Sequence, residues 1–277
     1  MEYEATDQLA TLGHPQRLMV FRMLMRRFPD TVPAGELAVQ LDIKPSTLSN
    51  YLNALQRAGL VRQERLGTSL LYSIEMTNVQ HMLDFLLKDC CKGRPDICMP
   101  STQGAKTMPD RKYNVLFLCV GNSARSIFAE SILRSLGGDR FNVYSAGTQP
   151  TSELNPFAMQ VLADKGHDTS ALRSKHMSEF AADGAPEMDF VFTVCNQAAN
   201  EDCPAWEGQP ISGHWGMVDP VKAMGTDAEK SLAFQNAYGA LKRRIEAFTS
   251  LPVESLDRIA LQTAVDDIAR TPVEDMQ

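Results

Sequence analysis

The apolar positions of the first 75 residues predict three helices followed by a β-hairpin. Apolar residues recur at helical spacing from Leu9 to Phe28, and a polar, proline-containing break at Asp30 to Pro33 separates them from a short helix ending near Leu41. A third helix is predicted from Pro45 to Ala58. Two apolar runs joined by a turn at Leu66 to Thr68 give the hairpin. We therefore expect an α+β domain.

Beyond residue 112 the pattern changes to buried strands that alternate with amphipathic helices. Strands are predicted over residues 115–118, 141–148 and 189–194, and helices over residues 127–136, 155–165 and 231–248. This alternation predicts an α/β doubly wound parallel sheet, in which ligands bind at the carboxyl ends of the strands. Past Ser250 one more short amphipathic helix is expected, without an assigned function.

Length and composition support two domains. A chain of 277 residues is long enough for two hydrophobic cores. Residues 99–111 are turn-forming and polar and lack an apolar period, which is typical of a connection between domains. We therefore assign residues 1–98 to a winged helix-turn-helix domain, residues 99–111 to a linker, and residues 112–277 to the doubly wound domain.

Charge and cysteine content restrict the function classes. The net charge of −7 argues against a nucleic-acid surface over the whole chain, but residues 13–66 hold eight basic and four acidic residues, a local charge of +4. No apolar run approaches the ~18 residues that cross a bilayer, and residues 1–4 lack the basic start of a signal peptide. A cytosolic protein without a membrane partner is expected. Its six cysteines then act more plausibly as ligands or redox groups than as structural disulfides.

The helix over residues 45–58 has small polar residues opposite its leucines, and such residues suit a DNA major groove. Arg62 and Arg65 on the hairpin would contact phosphates, which position a protein on DNA, whereas the helix would read base edges. The residues expected to contact bases are Ser46, Thr47, Ser49 and Asn50. A helical packing module that binds no DNA is the alternative.

Three segments carry a family resemblance in this first domain. Residues 14–18 (HPQRL), 46–52 (STLSNYL) and 58–61 (AGLV) resemble the ArsR-type family of dimeric winged-helix repressors, over about residues 4–88. The resemblance implies release from operator DNA by a metal or metalloid, and a homodimer formed by the terminal helices. The apolar residues that would form the dimer face are Val79, Met82, Leu83, Phe85, Leu86 and Leu87.

A thiol sensor is expected just after that dimer helix. The helix before the reading helix holds no cysteine, so the sensor motif best known in the family is absent. Cys90, Cys91 and Cys98 supply three soft thiolates, which bind trivalent arsenic as a pyramid. We therefore expect them to bind arsenite. Zinc, with His81 as the nearest further ligand, is one alternative, and a chance grouping of cysteines is another.

The turn over residues 119–126 (CVGNSARS) is predicted to form an oxyanion cradle. Its amides can converge on one point, towards which the next helix aims its positive N-terminal end. A thiolate at Cys119 would be stabilised there, so its pKa is expected to lie below that of a free thiol. Arg125 supplies a planar fork for two oxygens, and Ser126 can donate a hydrogen bond to the sulfur. A buried cysteine beside a surface arginine is the alternative.

This turn resembles the low-molecular-weight tyrosine phosphatase fold and, more closely, its arsenate reductase branch, over about residues 114–250. The resemblance implies that Cys119 is the nucleophile and that Asp219, the Asp before Pro in residues 214–220 (HWGMVDP), is the general acid. Cys195 and Cys203 are similar to the redox pair of thioredoxin-coupled arsenate reductases. The other residues implied to bind the substrate are Val120, Gly121, Asn122, Ser123, Ala124 and Ser126.

The sequence therefore predicts an arsenite-responsive repressor fused to an arsenate reductase. Cys119, Cys195 and Cys203 would pass a disulfide along to thioredoxin, with arsenite as the sensor's ligand and no tightly bound cofactor. A repressor fused to a tyrosine phosphatase is the alternative, although Val221 and Lys222 stand where those phosphatases have an aromatic pair. A pure regulator whose second domain only binds an oxyanion is a third hypothesis.

Overall fold

The computed structural model describes residues 2–91, 111–151, 153–182, 184–201, 206 and 209–270. The chain divides into two compact units, Met1–Thr107 and Met108–Gln277. The expected linker lies outside the described residues except for Arg111. Within the described ranges, every helix is too short or too polar to span a lipid bilayer.

The first unit is a helix-turn-helix with a β-wing, so the predicted winged helix-turn-helix is confirmed. Its three strands form an antiparallel sheet in the order β1-β3-β2. A π-helical turn, Leu86–Cys90, extends the last helix. The elements are α1 (Glu2–Leu12), α2 (Pro15–Arg26), β1 (Val32–Pro33), α3 (Ala34–Gln40), α4 (Pro45–Arg57), β2 (Val61–Leu66), β3 (Ser69–Ile74) and α5 (Met76–Phe85).

The core of this unit corrects one sequence expectation. Residues 9–28 do not form one continuous helix, because Pro15 has no backbone N–H to donate inside a helix and instead starts α2 as its first residue. The buried face of α2 is formed by Val20, Met23 and Leu24, whereas Leu18 is 40% exposed. On α4 the expected leucines at positions 48, 52 and 55 are all buried.

The second unit is the predicted α/β doubly wound domain with a wholly parallel sheet, in the order β5-β4-β6-β7. Two 3-10 turns, Met177–Phe180 and Pro220–Lys222, lie between its elements. The elements are β4 (Tyr113–Cys119), α6 (Arg125–Gly137), β5 (Phe141–Gly147), α7 (Pro156–Asp164), β6 (Phe190–Thr193), α8 (Asn196–Asn200), β7 (Ile211–His214), α9 (Asp227–Thr249) and α10 (Arg258–Arg270).

Strand β4 lies at the centre of the second unit's core. All seven of its residues are buried, because alternate side chains enter two different apolar clusters on the two faces of the sheet. Edge strand β7 was not predicted, since Ile211 is its only large apolar residue. The expected helix after Ser250 is present as α10 and packs against β7.

Candidate active site

The loop between β4 and α6 is held by its carbonyl groups. The carbonyls of Cys119, Val120, Gly121 and Ser123 accept hydrogen bonds of 2.9–3.1 Å from backbone amides of residues 148–155. In a planar trans peptide the N–H points away from the C=O of the preceding residue, so the amides that follow these carbonyls face the opposite side. The loop therefore presents its N–H groups inward, as an oxyanion cradle requires.

Gly147 allows the close approach of this loop. A Cβ atom at Gly147 would lie 2.3 Å from the carbonyl oxygen of Val120 and 3.1 Å from the backbone nitrogen of Asn122. The last residue of β5 can therefore be only glycine if the loop keeps its position. The sequence offered no motif that identified this glycine.

The sulfur of Cys119 has two hydrogen-bonding partners among the residues that the structure describes, Asn122 and Ser126. The backbone amide of Asn122 donates to it at 3.1 Å, and Ser126 Oγ lies 2.9 Å away. Asn122 has a left-handed backbone with φ of 45°, and its side chain donates to Ser126 Oγ at 2.9 Å. The expected contact between Ser126 and the sulfur is thus present, and Asn122 supports it from both backbone and side chain.

The expected low pKa of Cys119 is a prediction that the structure contradicts. Burial raises the pKa of this thiol, and a negative charge on Cys195 would raise it further. The hydrogen bonds from Ser126 and Asn122 and the charge of Arg125 act in the lowering direction but are outweighed. Arg125, whose charge acts in the lowering direction, is itself paired with a carboxylate.

That carboxylate is Asp219. Arg125 Nη2 lies 2.9 Å from Asp219 Oδ2, and Arg125 Nη1 donates to the carbonyl of Met217 at 3.3 Å. Asp219 in turn accepts a hydrogen bond from the amide of Val221. The predicted nucleophile, oxyanion clamp and general acid therefore meet at the carboxyl edge of the sheet, although they lie as much as 100 residues apart in the sequence.

Replacing Asp219 with asparagine is expected to lower the pKa of the Cys119 thiol, because the charge of Arg125 is then no longer balanced. Alkylation of Cys119 by iodoacetamide at neutral pH should become several-fold faster, which mass spectrometry of the Cys119 peptide measures across a pH series. Asp168→Asn, at an exposed carboxylate, serves as control. An unchanged pH profile in the Asp219 variant would show that the pair does not govern the thiol.

Cys195 lies two residues past the end of β6, the strand next to the one that carries Cys119. Leu118 is in register with Thr193, and the amide of Val194 donates to the carbonyl of Leu118 at 2.8 Å. Neighbouring strands are about 4.8 Å apart, and both cysteines belong to the same buried cluster. Both are free thiols, whereas Cys203 lies outside the described residues. The two thiols can therefore approach each other.

A buried polar network behind Asn122 was missed by sequence reasoning. Asn122 donates to Ser145 Oγ at 2.8 Å and accepts from the amide of Lys175 at 2.7 Å. Ser145 donates to Glu130 Oε2, which also lies 3.2 Å from the Lys175 ammonium. The other carboxylate oxygen of Glu130 pairs with Arg134. The side chains of Glu130 and Lys175 are both less than a tenth exposed. The only available signal was an acidic residue on the buried face of the predicted helix after the cradle.

The predicted DNA surface is largely exposed. On α4, Ser46, Ser49 and Asn50 face solvent, whereas Thr47 is half-buried. Arg62 and Arg65 are both exposed but lie on opposite faces of β2, since their positions differ by an odd number. Side chains that share the exposed α4 surface but were not assigned to DNA contact are Asn53, Gln56 and Arg57.

The expected dimer face must be corrected. Val79 and Met82 pack inside the unit's own core, in which α5 lies against α1. Leu83 and Leu87 remain exposed. Only the second half of the proposed apolar face is therefore open to a partner.

The expected arsenite site is only partly described. Cys90 is an exposed free thiol, Cys91 is disulfide-bonded, and Cys98 lies outside the described residues. In the ranges that the structure covers, histidine, cysteine and acidic side chains form no cluster of three or more that could hold a metal ion. A disulfide-bonded cysteine offers no thiolate, so arsenite binding at Cys91 requires reduction first.

An inward-facing amide loop, a cysteine at its base and an Arg125–Asp219 pair make up a phosphatase-like site whose geometry suits a tetrahedral oxyanion. A family profile described as low molecular weight phosphotyrosine protein phosphatase matches residues 114–259, and the chain belongs to this family. A helix-turn-helix profile matches residues 12–64. The protein is thus a fusion of a winged helix-turn-helix domain with a domain of that family.

Curated relatives of the second domain are arsenate reductases. The enzyme of Bacillus licheniformis is 38% identical over 137 residues, which are 50% of this chain and 95% of the relative. That of Bacillus subtilis is 36% identical over 134 residues, which are 48% and 93% of the two chains. A solved arsenate reductase in the phosphate binding state is 27% identical, covers 48% of this chain and 94% of its own, and superposes with a TM-score of 0.39.

Proposed function

We propose that this chain is an arsenite-responsive transcriptional repressor fused to a thioredoxin-coupled arsenate reductase. The observation that carries the proposal is the placement of Cys195 beside Cys119 at the carboxyl edge of one parallel sheet. Ester hydrolysis requires one thiol in the cradle, whereas reduction through a disulfide requires two. The 35–38% identity to several curated arsenate reductases supports the same reaction.

The first step is nucleophilic displacement at arsenic. Arsenate binds in the loop and accepts hydrogen bonds from its amides. Arg125 turns away from Asp219 and binds two oxygens of the arsenate. The buried Cys119 thiol passes its proton to the bound arsenate dianion, which removes the cost of a free thiolate. The sulfur then bonds to arsenic while one oxygen departs as water, protonated by Asp219. A cysteine-bound arsenic(V) ester remains.

The second step reduces arsenic. The Cys195 thiolate attacks the sulfur of Cys119, and the electron pair of the sulfur–arsenic bond stays with arsenic, which leaves as arsenite. Cys203 then attacks Cys195 and releases Cys119 as a thiol. Two cysteines have lost two electrons and arsenic has gained two. The dithiol of thioredoxin reduces the resulting Cys195 to Cys203 disulfide.

The proposed regulatory half responds to the product of this reaction. The polar face of α4 would read operator bases while Arg62 and Arg65 contact phosphates, as a homodimer. Arsenite would bind Cys90, Cys91 and Cys98 at the end of α5. Because Cys91 is disulfide-bonded here, such a sensor would respond only when its thiols are reduced.

A tyrosine phosphatase fused to a repressor is the second candidate, because the family match and the Cys119, Arg125 and Asp219 arrangement suit phosphate esters equally. One observation counts against this candidate. Val221, which follows the Asp219-Pro220 pair where the tyrosine phosphatases have an aromatic residue, is half exposed and offers no aromatic ring to a phosphotyrosine.

A single-turnover experiment distinguishes the two candidates. The reduced protein is mixed with arsenate in the absence of any reductant, and arsenite is counted per chain. We expect about one arsenite per chain together with a Cys195 to Cys203 disulfide in the peptide mass spectrum. If no arsenite forms but the protein still hydrolyses an aryl phosphate, the result would support the phosphatase instead.

A further inference from the structure

Helix α10 covers the open edge of the parallel sheet, and almost all of it lies beyond residue 259, where the family match ends. Gln262 Nε2 donates to the carbonyl of Ser212 at 2.7 Å, and Gln262 Oε1 accepts from the amide of Ser212 at 3.4 Å. The side-chain amide thus takes the place that a neighbouring strand would have on β7. Leu261 and Val265 bury the helix against the same strand.

Arg244 of α9 connects this helix to the acid loop. Its guanidinium is buried and donates through Nη1 to the carbonyls of Trp215, at 2.8 Å, and Gly216, at 3.1 Å. Nη2 donates at 3.5 Å to the carbonyl of Ala269, in the last turn of α10. Carbonyls there lack a partner within the helix and carry partial negative charge, so they favour a cation.

Trp215 makes the second connection. Its side chain is fully buried, its Nε1 donates to the carbonyl of Val265 at 3.4 Å, and its ring stacks on Phe192 with the centroids 4.1 Å apart. Residues 215 and 216 are therefore fixed from α9 and α10. Asp219 follows only three residues later, with Met217 between them bound to Arg125.

We propose that Arg244 is a positioning residue for the general acid Asp219, and that α10 is the support through which it acts. This inference rests on the proposed function, since it assumes that Asp219 protonates the departing oxygen. Arg244 touches neither the substrate site nor Asp219; it acts by fixing the start of the loop that carries the acid. A lysine at this position keeps the charge but loses the fork whose two ends bind the carbonyls of residues 215 and 216 and the carbonyl of Ala269 at the same time.

The test is a double-mutant cycle on the single-turnover rate of arsenite formation at saturating arsenate. Arg244→Lys should slow this rate about tenfold, since a misplacement of about 1 Å can cost up to 10²-fold. In an Asp219→Asn background the same substitution should change the rate less than about twofold, because the group it positions is already absent. If Arg244→Lys slowed the reaction by the same factor in both backgrounds, the effects would be additive and the inference would be overturned.

A matched control is Arg140→Lys. Arg140 also donates to two backbone carbonyls, those of Thr249 at 2.8 Å and Leu251 at 3.0 Å, but it ties down the end of α9 and not the acid loop. It should lower the melting temperature and leave the rate unchanged. An equal slowing by the Arg140 variant would show a general structural effect and overturn the positioning role.

A second variant guards against misfolding. If thermal melts show that Arg244→Lys is unfolded, Trp215→Phe enters the same cycle, because it removes the hydrogen bond to Val265 and keeps a ring on Phe192. Trp215→Phe should likewise slow arsenite formation in the wild-type background but not in the Asp219→Asn background. An equal slowing in both backgrounds would overturn the inference. A wild-type protein that forms no arsenite would overturn the proposed function and this inference with it, whereas an active wild type with additive variants overturns the inference alone.

Discussion

The Cys195→Ser variant is expected to lose multiple-turnover arsenate reduction by at least about a thousandfold, because a serine hydroxyl cannot attack sulfur to form a disulfide. The cradle, Arg125 and Asp219 are untouched, so slow hydrolysis of an aryl phosphate such as p-nitrophenyl phosphate should remain. The two activities separate because only reduction requires the thiol at the end of β6.

Both activities are measured on one preparation of the variant, with arsenite quantified for the first and p-nitrophenol for the second. Cys90→Ser is the matched control, because it removes an exposed free thiol of the other unit and should leave both activities unchanged. An equal loss of reduction and hydrolysis in the Cys195 variant would mean that this buried cysteine supports the cradle and does not shuttle electrons.

The second large effect is expected in the regulatory half. Simultaneous replacement of Cys90, Cys91 and Cys98 by serine should abolish release of operator DNA by arsenite, since trivalent arsenic binds hydroxyl groups far more weakly than thiolates. DNA affinity without arsenite should stay within about threefold of the wild type, because none of the three lies on α4 or on the wing. A ligand shifts an equilibrium only by its differential affinity for the two states.

This prediction is checked by fluorescence titration of labelled operator with increasing arsenite, in the presence of a reductant that keeps Cys91 reduced. The control carries Cys119→Ser and Cys195→Ser and should still release DNA. Unchanged release by the triple variant would remove the sensor assignment. Release lost only in the control would move the sensor into the reductase domain.

The cradle could be predicted from the sequence because its parts are local. An apolar strand, the 119–126 loop and an amphipathic helix follow one another without interruption, and each is specified by its own residues. The wing was predicted for the same reason, since a hairpin joins adjacent segments. Asp219 was assigned from a short motif, and its pairing with Arg125 required the fold.

What the sequence left out depends on long-range packing. Strand β7 has one large apolar residue and is stabilised by pairing with β6 and by Gln262 of α10, 50 residues away from Ser212. The pKa of Cys119 was predicted in the wrong direction because burial of the thiol, which raises this pKa, is a property of the folded domain. The division of the α5 face between the core and solvent likewise depends on tertiary packing.

The most direct test of the central claim is arsenate-dependent oxidation of NADPH in the presence of thioredoxin and thioredoxin reductase. The account predicts sustained turnover of the 277-residue protein, with one arsenite formed per NADPH consumed, and no turnover when thioredoxin is left out. NADPH oxidation that does not depend on arsenate, or arsenate that is bound without any arsenite being formed, would contradict it.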